Sequence, residues 1–300
     1  MNILMKPELS IISVNYNGFV HTCEMIESVR EHLTVPYELI IVDNGSAVNE
    51  AEEIGRRFPD VTVIRSEKNL GFAGGNNLGI DAAGGKYLLF LNNDTIVPDD
   101  SLGLLCETLD GDPSAAAVCP KIKFAFPPYN IQFAGYTPLT KITLRNSLKG
   151  FDKPDDGSYD APSVTPYAHG AAMMVKRSVI DEVGRMPEIY FLYYEELDWS
   201  EMMTRAGYRI LYDPRCTIYH KESAATGQGS PLRTYYLARN RMLFGWRNRK
   251  GLPRYLTLLY QMFVVSLRNT LVWGMRGDFR LYAAQWKGVV AFFRIKNKMS

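Results

Sequence analysis

The residues with chemical potential in this sequence sit where apolar runs stop. Leu9–Val14 ends in Asn15-Tyr16-Asn17-Gly18, and Glu38–Val42 ends in Asp43-Asn44-Gly45-Ser46. An aspartate just past a strand can accept hydrogen bonds from a ribose or a base edge; equally, Asp43 or Ser46 can cap the helix that follows. Next comes Asn69-Leu70-Gly71-Phe72-Ala73-Gly74-Gly75-Asn76-Asn77. Its glycines allow close backbone approach and its asparagines add neutral donors, so the segment can cradle phosphates or form a simple turn. Tyr87–Leu91 stops at Asn92-Asn93-Asp94-Thr95. A hard divalent cation, Mg²⁺ or Mn²⁺, takes oxygen ligands, usually one or two protein carboxylates plus substrate phosphates. Asp94 suits that role, with Asn92 beside it through a carbonyl or a water. No G-x-G-x-x-G follows the first run, which makes a dinucleotide fold a poor match.

The elements that must position these residues are short apolar strands (Leu9–Val14, Glu38–Val42, Val61–Arg65, Tyr87–Leu91) alternating with segments of helical spacing (Val20–His32, Val48–Phe58, Gly74–Ala83). That alternation predicts an α/β fold with a mainly parallel central sheet covered by helices on both faces. Ligands in such sheets bind beyond the carboxyl ends of the strands, where the polar clusters fall. From Phe124 to Tyr167 no period is sustained, and loops with a hairpin are expected. Order resumes with a strand at Gly170–Val175, a helix at Glu195–Gly207 ending on its glycine, and a strand at Arg209–Tyr212 before Asp213-Pro214.

At 300 residues the chain can hold one large domain with an appendage. Cys23, Cys106, Cys119 and Cys216 are scattered without metal-ligand spacing, which predicts buried thiols rather than a disulfide framework. Met1–Glu8 does not read as a leader. The net charge of +2 conceals an asymmetry, because Arg233–Ser300 holds 14 Lys or Arg against one acid, Asp278. A basic, aromatic helical tail suits a polyanionic surface. The stretch Leu256–Leu267 is too short to cross a bilayer and runs into Arg268. Trp246, Trp273 and Trp286 among arginines fit an interfacial amphipathic arrangement or a helical cap packed on the protein. No nucleic-acid recognition motif accompanies the tail.

The ordered series VNYNG, VDNGS, NLGFAGGNN and FLNNDT resembles the donor-binding half of family 2 inverting glycosyltransferases with the A-type fold. It is most similar to the rhamnosyltransferase-like subgroup of bacterial surface-polysaccharide biosynthesis. The similarity continues through Gly170–Val175, Phe191–Tyr208 and His220, roughly residues 9 to 225. It implies a nucleotide-sugar-binding and catalytic domain over residues 1–232 and a C-terminal helical segment, 233–300. It implies a UDP- or dTDP-sugar donor, a glycan or lipid-linked saccharide acceptor, and transfer with inversion. With the tail, it implies a cytoplasmic protein held peripherally at the inner face of the membrane, with no nucleic-acid partner.

The implied donor contacts are Asn15, Asn17, Asp43, Asn44, Asn69, Gly71, Phe72, Gly74, Asn76, Asn92 and Asn93. Asp94 matches the metal-contacting acid of a D-x-D motif whose first acid is Asn92 here, and His220 matches a histidine completing the metal site for Mg²⁺ or Mn²⁺. The segment Glu195-Glu196-Leu197-Asp198 matches E-D-x-D, with Glu196 at the position of the catalytic base and Glu195 and Asp198 beside it. Met202 stands where relatives carry an arginine. Two alternatives stay open: a silent nucleotide-sugar-binding subunit, and a sugar nucleotidyltransferase. The latter calls for a glycine-rich, basic loop after the first strand, which Asn15–Gly18 does not provide.

Overall fold

A computed structural model describes residues 7–222 and 229–299, so the start region read above for a leader lies mostly outside the described residues. The chain divides into two compact units. The larger comprises Met1–Thr137, Ser147–Phe191 and Glu195–Glu222; the smaller comprises Pro138–Asn146, Leu192–Tyr194 and Ser223–Ser300.

The larger unit opens as β1 (Leu9–Asn15), α1 (Phe19–His32), β2 (Tyr37–Asn44), α2 (Glu50–Arg57), β3 (Thr62–Ser66), α3 (Gly71–Ala82) and β4 (Tyr87–Leu91). There follow β5 (Thr95–Ile96), α4 (Leu102–Gly111), β6 (Ala115–Phe124), β7 (Ile131–Phe133), β8 (Ser163–Thr165), β9 (Ala172–Lys176), α5 (Arg177–Val183), α6 (Glu195–Arg205) and β10 (Arg209–His220). Among the described residues, ten strands share one sheet of order β3-β2-β1-β4-β9-β6-β10-β5, with β7 on β6 and β8 on β10. The strands β3, β2, β1 and β4 run parallel, β9 runs against both β4 and β6, and β6 pairs in parallel with β10. The carboxyl ends of β1, β2, β4, β6 and β10 therefore lie along one edge, and so does the amino end of β9, because Leu91 pairs with Ala172.

Continuous burial explains the apolar runs. Every residue of β4 is buried, and each such side chain contributes about 1.5–3 kcal/mol. Helix α3 lies so close to the sheet that a β-carbon at Gly75 would stand 2.9 Å from the Val14 side chain. All four cysteines are buried and free.

Several elements differ from the sequence expectation, α4 and α5 among them because they fall in stretches to which the pattern assigned no element. The helix expected from Gly74 begins three residues earlier, at Gly71, so most of the glycine-rich segment lies inside α3. Strand β6 occupies a stretch left unassigned, and β10 runs on through Asp213-Pro214 to His220. A register shift against β6 between Asp213 and Thr217 accommodates the proline, whose missing N–H cannot join a ladder. Helix α6 ends as the spacing predicts: Gly207, at φ +94°, turns the chain and Tyr208 N–H donates to the Met203 carbonyl.

The smaller unit holds α7 (Pro231–Asn248), α8 (Gly251–Leu259), a π-helical turn at Tyr260–Val265, α9 (Ser266–Met275) and α10 (Phe279–Met299). Ser230 caps α7 by accepting from Arg233 N–H at 3.2 Å, with Pro231 in the first turn. Gly288 permits the close crossing of α10 on α7, since a β-carbon there would come within 2.5 Å of the Tyr235 carbonyl. Asn240 donates to the carbonyls of Leu192 and Tyr193 at 2.7 and 2.9 Å. No described helix is long and apolar enough to cross a membrane.

Candidate active site

The sheet's carboxyl edge gathers most of the polar clusters. At the end of β1, Asn15 is fully buried and its amide donates to Asp43 Oδ1 at 3.2 Å, Ser46 Oγ at 3.4 Å and Glu50 Oε2 at 2.8 Å. Its carbonyl oxygen accepts from Thr22 Oγ1 at 2.8 Å, and Thr22 accepts from Asn93 Nδ2 at 3.0 Å. Asn17 is exposed at φ +51°; its N–H donates to Ser46 Oγ and its side chain accepts from Ala47 N–H, both at 2.8 Å. Asp43 is fully buried. Its Oδ1 also accepts from Ser46 N–H at 3.3 Å, whereas Oδ2 has no hydrogen-bond donor and faces the Arg65 guanidinium at 3.8 Å. A buried carboxylate oxygen without a donor is a ready acceptor for a ligand N–H or O–H.

Asn44 and Asn69 hold the turn that opens α3. Asn44 accepts from Leu70 N–H at 3.0 Å and donates to Asn69 Oδ1 and the Gly71 carbonyl at 3.2 and 2.9 Å; Asn69 also accepts from Gly71 N–H at 2.8 Å. Gly71 sits at φ +76°, and any β-carbon there would collide with the Phe191 carbonyl, which accepts from Phe72 N–H at 2.8 Å. A β-carbon at Gly74 would likewise stand 2.6 Å from that of Leu70. Asn76 is buried and donates to the Phe72 carbonyl at 2.9 Å. The hydrogen bonds of Asn44, Asn69 and Asn76 thus brace the turn itself, and the Phe72 ring is left partly exposed beside Gly170.

After β4, Asn92 N–H donates to the Ala171 carbonyl at 2.9 Å, which ties the strand end to the start of β9. Asp94 and His220, far apart in sequence, are both buried, with Asp94 Oδ1 at 3.1 Å from His220 Nε2. On the other ring nitrogen, Nδ1 lies 2.8 Å from Gln132 Oε1. Gln132 Nε2 donates to Glu222 at 3.4 Å, which orients the amide with its oxygen toward the histidine. His220 therefore donates through Nδ1–H, so a neutral ring would offer its Nε2 lone pair toward the Asp94 carboxylate. Asn92 Nδ2 lies 3.4 Å from the same nitrogen. Two electron-rich atoms so placed fit a shared cation, and the set of one carboxylate and one imidazole suits Mg²⁺ or Mn²⁺ completed by substrate oxygens. Among the described residues no group of three or more His, Cys, Asp and Glu is placed to hold a metal.

The acids at the start of α6 separate by environment. Glu195 and Asp198 are buried, whereas Glu196 is partly exposed, close to Phe72 and Gly170. Desolvation raises the Glu196 pKa from 4.5 to about 7. Phe191, Tyr193 and Tyr194, immediately before α6, all have positive φ, a costly conformation for aromatic residues. Met202, in place of an arginine, lies near Gly184.

Sequence reasoning did not single out Glu50, Gln132, Tyr136 or His169. His169 accepts from Ala171 N–H at 3.2 Å through Nδ1 and stacks on Tyr136, ring centroids 6.1 Å apart. Burial first, then the adjacent His220 ring, lowers its pKa to about 3, so it stays neutral. Burial, then the nearby Glu196 carboxylate, pushes the Tyr136 hydroxyl well above its ordinary range. Glu50 reads in sequence as an ordinary acid in a first helical turn. Gln132 falls in the stretch without periodicity, where its pairing with a residue of β10 leaves no local signal.

The sheet is parallel on one side and mixed on the other, with polar groups along its carboxyl edge, and its alignment with solved glycosyltransferases shows it to be the A-type fold. Solved structures of that layout align over most of the chain. They include GalNAc-T7 with UDP, GalNAc and Mn²⁺ (TM-score 0.62, 16% identity, 81% of this chain and 51% of the other). The mannosyltransferase PcManGT from Pyrobaculum calidifontis with GDP-Man and Mn²⁺ also aligns (TM-score 0.56, 18% identity, 94% and 74%). Residues 10–184 match glycosyl transferase family 2, and the chain belongs to that family. The low-salt glycan biosynthesis hexosyltransferase Agl10 of Haloferax volcanii is 28% identical over 215 residues, 69% of this chain and 64% of its own length. The N-acetylglucosaminyl-diphospho-decaprenol L-rhamnosyltransferase of Mycobacterium tuberculosis is 23% identical over 246 residues, 75% and 79%.

Proposed function

We propose that this glycosyltransferase moves a hexosyl or deoxyhexosyl group from a UDP- or dTDP-sugar to a hydroxyl of a lipid-linked glycan, with inversion, at the inner face of the cytoplasmic membrane. The observation that carries the reading is the Asp94–His220 pair at 3.1 Å, held by Gln132 on the same sheet edge as the buried, donor-free Asp43 Oδ2. Asp43 accepts from the nucleoside, and the Asn15–Thr22–Asn93 chain keeps that edge in register. Asp94 and His220 would hold Mg²⁺ or Mn²⁺, which supplies positive charge to the departing diphosphate when bound.

Glu196 takes the proton of the acceptor hydroxyl. As the proton leaves, the acceptor oxygen bonds to the anomeric carbon and the bond from that carbon to the diphosphate breaks, which releases a nucleoside diphosphate. A carboxylate with a pKa of about 7 is well matched to this work near neutrality. Glu195 and Asp198 position the first turn of α6. The lipid-linked acceptor is supported by the name of the mycobacterial relative and by the basic tail.

The test is hydrolysis and binding of UDP-, dTDP- and GDP-sugars with and without Mn²⁺ or Mg²⁺, for the natural protein and Glu196→Gln. Metal-dependent release of one nucleoside diphosphate, lost in the variant while binding persists, is the expected result. If no nucleotide sugar binds with either metal, the reading fails.

A further inference from the structure

Within the smaller unit, α8, the π turn and α9 form one unbroken rod from Gly251 to Met275, and that rod is built inside out. Its inward residues are polar. Thr257, Gln261 and Ser266 are buried; Thr257 Oγ1 donates to the Lys141 carbonyl at 3.3 Å and Gln261 Nε2 to the Thr143 carbonyl at 3.1 Å. Gln285 of α10 donates to Ser266 Oγ at 2.9 Å, and Trp286 Nε1 donates to Thr270 Oγ1 at 2.9 Å. Its outward residues are apolar. Leu252, Leu259, Phe263, Leu267, Leu271 and Met275 are between 44% and 81% exposed.

The backbone keeps these side chains on one side. A four-residue step overshoots an α-helical turn by about 40°, so Leu259, Phe263, Leu267, Leu271 and Met275 would otherwise wind around the rod. The extra residue of the π turn takes back roughly 100°, and the stripe stays outward for about 35 Å. Lys250, Arg268 and Arg276, within or next to the rod in sequence, are exposed, and the rod contains no acid. An apolar stripe of this length is unusual on a soluble surface. A second copy of the chain is a poor occupant, because an isologous contact would set these arginines against one another with no acid on the rod to pair them. An anionic bilayer meets both features: phosphates for the guanidinium groups, and the boundary below them for the leucines.

We propose that the outward face of Gly251–Met275 is a docking surface for anionic phospholipid, lying in the plane of the interface without crossing it. The inference rests for its purpose on the membrane-borne acceptor proposed above; the physical surface stands on the rod alone.

The test is sedimentation of the full chain with phosphatidylglycerol or phosphatidylcholine vesicles at low and high salt. The variants are Leu267→Ser/Leu271→Ser and Arg268→Glu/Arg276→Glu, with thermal melts to establish that each is folded. The natural protein is expected to bind phosphatidylglycerol and to be released by salt. Each variant should partition roughly tenfold or more weaker at an unchanged melting temperature. The proposal is overturned if the natural protein ignores phosphatidylglycerol vesicles or if folded variants bind as well as it does. It is equally overturned if sedimentation velocity finds a dimer that the leucine variant dissociates. Nucleotide-sugar hydrolysis without vesicles reports on catalysis alone, so either reading can fail without the other.

Discussion

Replacing Glu196 by glutamine should slow the enzyme and stabilise it, with both effects carrying the same pH signature. With its pKa at about 7, Glu196 is roughly one-tenth ionised at pH 6 and nine-tenths at pH 8. If the ionised form is the base, kcat/KM rises by nearly tenfold across that window and then levels. Glutamine cannot take a proton, so the variant should lose on the order of 10²–10⁴ in kcat together with that dependence. The stability effect follows from linkage. The folded protein holds this proton more tightly than the unfolded chain does, so the contribution to stability is fully present below about pH 4.5 and is lost as pH rises toward 7. Discounted for partial exposure, the cost of the charged form at pH 8 is about 1–3 kcal/mol. Glu196→Gln should therefore melt a few degrees higher than the natural protein at pH 8 and about the same at pH 4. Steady-state rates and calorimetric melts across pH 4–8 measure both. A natural enzyme whose rate is flat from pH 6 to 8, or a variant equally stabilised at pH 4 and pH 8, would refute the reasoning.

Asp94→Asn and His220→Ala should each reduce metal-stimulated turnover by on the order of 100-fold without altering the circular dichroism spectrum. Gln132→Met frees His220 Nδ1 and should weaken Mn²⁺ activation by about 10–100-fold, read from a Mn²⁺ titration of the rate. Gly71→Ala forces a β-carbon into the Phe191 carbonyl at φ +76° and should cost more than ~1–2 kcal/mol in urea unfolding. Gly103→Ala, in α4 with nothing within 4 Å of the new carbon, should instead stabilise by about 0.5–1 kcal/mol. Asp43→Asn removes a charged acceptor and should weaken UDP or dTDP binding by ~10–100-fold in calorimetry.

How much of this was legible in the chain depended on how local each signal is. Burial on both faces makes β1, β2 and β4 continuous apolar runs, so their ends, and Asn15, Asp43 and Asp94 with them, could be placed from sequence pattern alone. The basic character of the tail and the glycine stop of α6 are equally local. Other features depend on which strands become neighbours. Strand β9 inserts antiparallel between β4 and β6, which brings His169 and Gly170 to the carboxyl edge of the sheet. Strand β10 continues through a proline because a register shift in its pairing with β6 absorbs the residue that cannot donate. The Gln132–His220–Asp94 relay joins three segments from distant parts of the chain, and no periodicity records it. The pKa of Glu196 likewise belongs to the folded surroundings that desolvate it. The sequence by itself determined the repeating α/β elements and the residue types available for donor, metal and proton. Tertiary structure decided which of them meet and in what protonation state, because hydrogen-bond geometry and desolvation exist only once distant segments have packed.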